Sequence, residues 1–316
     1  MQEGIVTKST GSWYTVRLDS GEDLACRIIG KFRIDDKRLT NPIAVGDQVR
    51  VEKEEGEEDT GVIREILPRR NYVVRQSPRK KHALHLIASN IDHALLIMTV
   101  VQPKLKQGFI DRFLLMTEPF NIPATIVFNK IDVYEEEDLG ICDYLCSIYE
   151  SIGYDTCKVS ALTGEGIPEL RELLKGKTTL MAGQSGVGKS SVINALEPGL
   201  TLRFGELSDY SGKGQHTTTF AEMHRLSFGG DIIDTPGIKT LSFNYLEPLD
   251  VAHNFREFFA LSEDCRFGGN CLHRNEPGCA VKEALEAGEV SELRYFNYLT
   301  LLEEIEDQNY WERRKV

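Results

Sequence analysis

The octapeptide Gly183-Gln184-Ser185-Gly186-Val187-Gly188-Lys189-Ser190 fits the pattern G-x-x-x-x-G-K-S. Glycines at that spacing let backbone N–H groups close on phosphate oxygens at the positive end of a following helix. Lys189 is placed to reach the β- and γ-phosphates and Ser190 to set its hydroxyl on Mg²⁺, with Ser191 next to it in the nucleotide-facing set. Further on, Asp234-Thr235-Pro236-Gly237 offers a carboxylate that can hold Mg²⁺ through water and, at Gly237, an N–H for the γ-phosphate. Between the two lies Gly212-Lys213-Gly214-Gln215-His216-Thr217-Thr218-Thr219, where a switch segment would supply a Thr to the metal. Thr218 is the expected ligand; Thr217 and Thr219 stay open.

The choice of base falls to Asn129-Lys130-Ile131-Asp132, directly after the apolar residues 126–128. The Asp132 carboxylate can accept hydrogen bonds from guanine N1–H and N2–H₂. Adenine offers neither donor there and would leave the carboxylate unpaired. Lys130 can lay its stem along the base, Asn129 can tie the motif to the phosphate loop, and Ser160-Ala161-Leu162 can present a backbone N–H to the guanine O6. Many hydrolases of this kind orient the attacking water with a Gln after D-x-x-G. Here that position is Ile238, which can neither donate nor accept. His216, two residues before Thr218, is the candidate instead; the competing reading is that it only packs or touches RNA. Lys189, Thr218 and His216 are thus the catalytic candidates.

These residues need a parallel sheet to hold them. From Ile91 onward strand and helix patterns alternate: strands at 93–101, 123–128, 154–159 and 178–182, helices at 110–119, 138–152 and 167–174. That alternation predicts a mostly parallel sheet covered on both faces. The base-reading motifs precede the phosphate loop, whereas the ordinary order is the reverse. The predicted domain is therefore circularly permuted, a rearrangement tolerated when the cut lies in a surface loop. Before it, strand patterns at 24–29, 45–51 and 61–67 suggest a small barrel such as an OB-fold. Arg64, Arg69, Arg70, Arg75, Arg79, Lys80 and Lys81 then follow against Glu65 alone, either a solvated linker or an RNA contact.

Cys265, Cys271, His273 and Cys279 form C-x₅-C-x-H-x₅-C, a complete tetrahedral zinc set and therefore structural; unligated thiols are the competing reading. Cys26, Cys142, Cys146 and Cys157 read as reduced core residues. A net charge of −12 argues against a surface coated all over with nucleic acid, without excluding a local basic face. The first ten residues carry no apolar signal core, and the longest apolar run, 94–101, is too short to span a bilayer. A cytoplasmic protein is expected.

Taken together, the guanine motif ahead of the phosphate loop, the Gly214-Gln215-His216-Thr217-Thr218 stretch and the three cysteines with one histidine resemble the RsgA (YjeQ) family of ribosome small-subunit-dependent GTPases. Glu276-Pro277-Gly278-Cys279-Ala280-Val281 and Arg294-Tyr295 also resemble that family's C-terminal region. The resemblance implies a multidomain chain: an N-terminal β-barrel (OB-fold) at 1–70, a circularly permuted α/β P-loop GTPase domain at 71–244 and a C-terminal helical zinc-binding domain at 245–316. It further implies GTP hydrolysed to GDP with Mg²⁺, one structural Zn²⁺, and late maturation of the bacterial 30S subunit with subunit-stimulated turnover. The 30S subunit and its 16S rRNA are the expected partners, with no membrane, and a monomer is expected.

Overall fold

Residues His93–Met98 form a strand in which every residue is buried, as the apolar run requires when both faces of a sheet are covered. In the computed structural model the described residues are 1–28, 39–54, 60–76, 83–106, 108–200, 221–235, 243 and 245–313. In chain order the first sheet strands are β1 (Gln2–Ser9), β2 (Tyr14–Leu18), β3 (Asp23–Ile28), β4 (Gln48–Glu54) and β5 (Thr60–Ile66). They pair in the order β1-β2-β3-β5-β4, and β4 returns to β1 to close a five-stranded barrel. Alternate side chains, among them Val6, Val16, Leu24, Cys26, Val51 and Ile63, fill its interior.

A hairpin of β6 (Tyr72–Gln76) and β7 (Leu84–Ser89) follows as its own two-stranded sheet. The basic stretch is therefore not a single linker. Arg64 pairs with Glu52, Arg69 with Asp47 and Arg70 with Asp92, while Arg75 lies within β6. Acids supplied from elsewhere in the fold pair with three of the seven cations of what looks like a free charge run. Arg79, Lys80 and Lys81 lie outside the described residues. Asp47 is fully buried, receives both Nε and a terminal nitrogen of Arg69 at 2.7 Å, and also accepts from the Ser89 hydroxyl. It welds barrel to hairpin. Gly46 beside it has φ +92°, and a Cβ there would lie 2.1 Å from the Ser89 carbonyl oxygen, so only glycine fits.

The main sheet continues with β8 (His93–Met98), β9 (Ala124–Asn129), β10 (Asp155–Val159), β11 (Thr178–Gly183), β12 (Glu222–Arg225) and β13 (Asp231–Asp234). Its spatial order is β10-β9-β8-β11-β13-β12, parallel except for β12. Ala94, Leu96 and Met98 pack toward α1 (Gly108–Thr117) and α2 (Glu136–Ser151); Leu95 and Ile97 pack toward α3 (Ile167–Leu174) and α4 (Lys189–Leu196). The expected two-sided cover is present. The helix expected over 110–119 begins two residues earlier and ends as a 3-10 turn at Glu118–Phe120 that carries Pro119. β12 carried no legible strand pattern, being only four residues long.

The C-terminal part consists of α5 (Pro248–His253), α6 (Arg256–Ser262), α7 (Ala280–Glu286) and α8 (Glu292–Arg313). On α8 the buried residues Arg294, Tyr295, Tyr298, Leu301, Leu302 and Ile305 fall on one helical face. Arg294 is 2% exposed, forks onto Glu257 through two 2.8 Å bonds and donates to Asp111 of α1 at 2.5 Å. Tyr149 and Asn297 complete the Asp111 shell. Arg256 joins the Glu118 carboxylate and the Gly153 carbonyl, with its guanidinium 3.9 Å from the Tyr154 ring centroid. Among the described residues no helix is long and apolar enough to cross a membrane.

Candidate functional site

The loop 184–188 runs from the end of β11 into the first turn of α4. Gly188, the N-cap, has φ +89°, and a Cβ on it would lie 2.4 Å from Asn129 Nδ2. The glycine leaves that gap for the Asn129 amide, which donates to the Val187 carbonyl at 2.9 Å. Its oxygen accepts from the Ala161 N–H at 3.1 Å. One buried side chain thus clamps the phosphate loop to the loop after β10. Lys130, itself at φ +69°, donates to the carbonyls of Gln102 (2.7 Å) and Gly186 (2.8 Å), which stretches its stem across the space between the two loops.

Asp132 accepts from the Ser160 hydroxyl, and that hydroxyl accepts from the Thr163 N–H, so the carboxylate is held in one orientation by the loop after β10. Lys189 donates to the Gly183 carbonyl at 3.0 Å, within its own loop. Gln184, Ser190 and Lys189 are half-buried, while Ser185, Gly186 and Ser191 are exposed at the loop surface and the first turn of α4. Asp234 ends β13 beside this loop. Burial pushes its carboxyl up to about 6 against the pull of Lys189. Thr235 donates to the Met181 carbonyl at 3.2 Å, fixing the β13 end to β11. His216, Thr217, Thr218, Thr219, Gly237 and Ile238 lie outside the described residues.

Tyr134 was not legible as a site residue. Its hydroxyl donates to the Asn129 carbonyl at 2.9 Å and accepts from the Val100 N–H at 2.8 Å. It thereby pins the segment 129–132 to the end of β8. A tyrosine after N-K-x-D carries no spacing signal of its own.

The second cluster lies in the C-terminal part. Cys265, Cys271, His273 and Cys279 are all buried, and their ligand atoms lie within 4.8 Å of one another. His273 Nδ1 is 3.7 Å from the Cys265 sulfur and 3.4 Å from that of Cys279. A tetrahedral zinc with the usual bond lengths sets the nitrogen–sulfur edge at about 3.6 Å, so the donor set fits that ion. The knuckle is braced from outside. Glu276 accepts from the N–H groups of Leu272 and Arg274, and Tyr295 and Tyr298 donate to the carbonyls of His273 and Leu272. His273 holds φ +54°, a conformation this brace stabilises.

Residues 66–244 match the RsgA GTPase family and residues 3–63 the RsgA N-terminal domain. A protein of Bacteroides fragilis described as small ribosomal subunit biogenesis GTPase RsgA is 47% identical over 308 residues, covering 98% of each chain. One of the same description from Flavobacterium johnsoniae is 48% identical over 301 residues, covering 95% of this chain and 92% of its own. Among solved structures, YjeQ from Thermotoga maritima superposes with a TM-score of 0.76 at 38% identity, covering 96% of this chain and 98% of that one. YloQ, described as a circularly permuted GTPase, gives 0.74 at 31% identity, covering 98% and 96%.

Proposed function

This chain belongs to the RsgA family of GTPases, and on that premise we propose that it hydrolyses GTP to GDP and phosphate during late maturation of the small ribosomal subunit. The observation that carries the reading is the Asn129 clamp, which joins the guanine-side loop and the phosphate loop into one preformed cradle. Asp132 reads the guanine edge, with Lys130 along the base and the Ala161 N–H toward O6. The N–H groups of 183–188, with Lys189, hold the phosphates. Ser190 and Thr218, with Asp234 through water, would hold Mg²⁺, whose charge would favour the developing charge on the β- and γ-phosphate oxygens. His216 orients the attacking water. Cys265, Cys271, His273 and Cys279 hold one structural zinc.

The partner is the 30S subunit, which the barrel at 1–70 and the zinc domain at 245–316 meet through 16S rRNA, with the GTPase domain at 71–244 between them. The chain works in the cytoplasm as a monomer. The test is GTP turnover by the full chain, alone and with purified 30S or 50S subunits. Stimulation by 30S alone is expected; equal stimulation by 50S, or none by either, overturns the reading. His216→Ala should keep GTP and 30S binding and lose most of the stimulated turnover.

A further inference from the structure

The barrel and the GTPase domain share one hydrogen-bonded sheet. β1 pairs antiparallel with β12 at Lys8 opposite Glu222, so eleven strands run without a break from β10 to β4. On its other side β12 pairs with β13 in a register that sets Glu222 opposite Asp234 and Arg225 opposite Asp231. Two barrel cations meet the two ends of this hairpin. Lys8 Nζ lies 3.1 and 3.0 Å from the two Glu222 oxygens. Arg17 of β2 approaches Asp231 to 2.8 Å as a charge contact and Met223 Sδ to 3.8 Å; the Arg17 and Asp231 side chains are 14% and 16% exposed.

What the barrel grips is the strand pair that ends in Asp234. The same pair begins at residue 222, directly after the stretch that contains His216 and Thr218. Asp234 thus ends a hairpin whose outer strand would be a free sheet edge without β1. A shift of about 1 Å in a positioned group costs on the order of a hundredfold in rate. We propose that Lys8 and Arg17 are positioning residues of the GTP-hydrolysing site: from the barrel they set the β12–β13 hairpin and so the Asp234 carboxylate. A ribosomal partner that moves the barrel then acts on hydrolysis through this seam. That last clause rests on the function proposed above; the positioning itself does not.

The experiment uses the full chain and intrinsic GTP turnover, without ribosomes. The Lys8→Ala, Arg17→Ala double variant should lower kcat about tenfold and raise the Mg²⁺ needed for half-maximal rate several-fold. GDP affinity, read with a fluorescent analogue, should stay within about twofold, because the base and phosphate cradles lie on β9, β10 and β11. A charge-exchanged pair, Arg17→Asp with Asp231→Arg, should recover most of the kcat that Arg17→Asp alone loses. Unchanged kcat in the double variant overturns the proposal. So does a parallel loss of kcat, GDP affinity and thermal stability, which is what a merely structural seam would give. If wild-type turnover does not respond to 30S subunits, the ribosomal function fails while these intrinsic measurements still decide the positioning role.

Discussion

At the scale of single residues, the proposed discrimination between bases rests on one carboxylate. Asp132 is pre-aimed by the Ser160 hydroxyl and accepts from two guanine donors in the proposed complex. Asp132→Asn replaces an acceptor with a donor, leaving a mismatch worth about 1–3 kcal/mol. Binding of GTP should weaken roughly ten- to a hundredfold, while xanthosine triphosphate, whose 2-oxo group suits an amide, binds better. A variant that kept the wild-type preference in competition titrations would place the base elsewhere. A second residue sets acid stability. His93 is 3% exposed, bonds Thr125 through Nε2, and burial lowers its pKa from 6.5 to about 4. The unfolded chain takes up that proton near pH 6.5 and the folded protein only near pH 4. Stability therefore falls as pH drops through this window, by about 3 kcal/mol from this group at full extent. His93→Gln should flatten that part of a denaturation-versus-pH curve; an unchanged slope would assign the loss to other groups.

At the scale of elements, motifs made of neighbouring residues were legible because their chemistry is local. The phosphate loop must follow a strand and open a helix, and N-K-x-D must end a strand, so sequence alone placed β9, β11 and α4. The knuckle 265–279 was legible in the same way, although its brace was not: Glu276 and the two tyrosines of α8 carry no metal-site spacing. That brace has a measurable consequence. His273→Ala should take zinc from stoichiometric to a small fraction by elemental analysis and lower the melting temperature of the C-terminal helices. Tyr298→Phe, which removes only the donor to the Leu272 carbonyl, should keep the metal and cost about 1 kcal/mol. Full zinc occupancy in a Cys271→Ser, Cys279→Ser variant would dissolve the assignment. The pairing of β12 with β1 and the Arg294 network escaped sequence reading for one reason: the partners are distant along the chain. Arg294 meets Asp111 across 183 residues and Lys8 meets Glu222 across 214, and nothing local encodes either meeting.

At the scale of the whole molecule, three parts are held by buried or half-buried charge: Asp47 with Arg69 at the barrel, Arg17 with Asp231 at the seam, Arg294 with Asp111 and Glu257 at the C-terminal helices. Such pairs are screened little by salt, whereas contacts to RNA phosphates are screened strongly. Binding to 30S subunits should therefore weaken steeply between 50 and 200 mM salt, by at least about tenfold, while the melting temperature moves little. A salt-independent affinity would argue for a protein surface of the subunit as the docking site. The pairing of β1 with β12 also sets a timetable for biosynthesis. At about 5–20 residues per second, the ribosome delivers Glu222 roughly 10 to 40 s after Lys8. During that interval the barrel can close on itself through β4, yet the flank of β1 that will receive β12 stays open to any passing strand. A lysine at that flank discourages wrong partners by its charge until the acid it waits for is made.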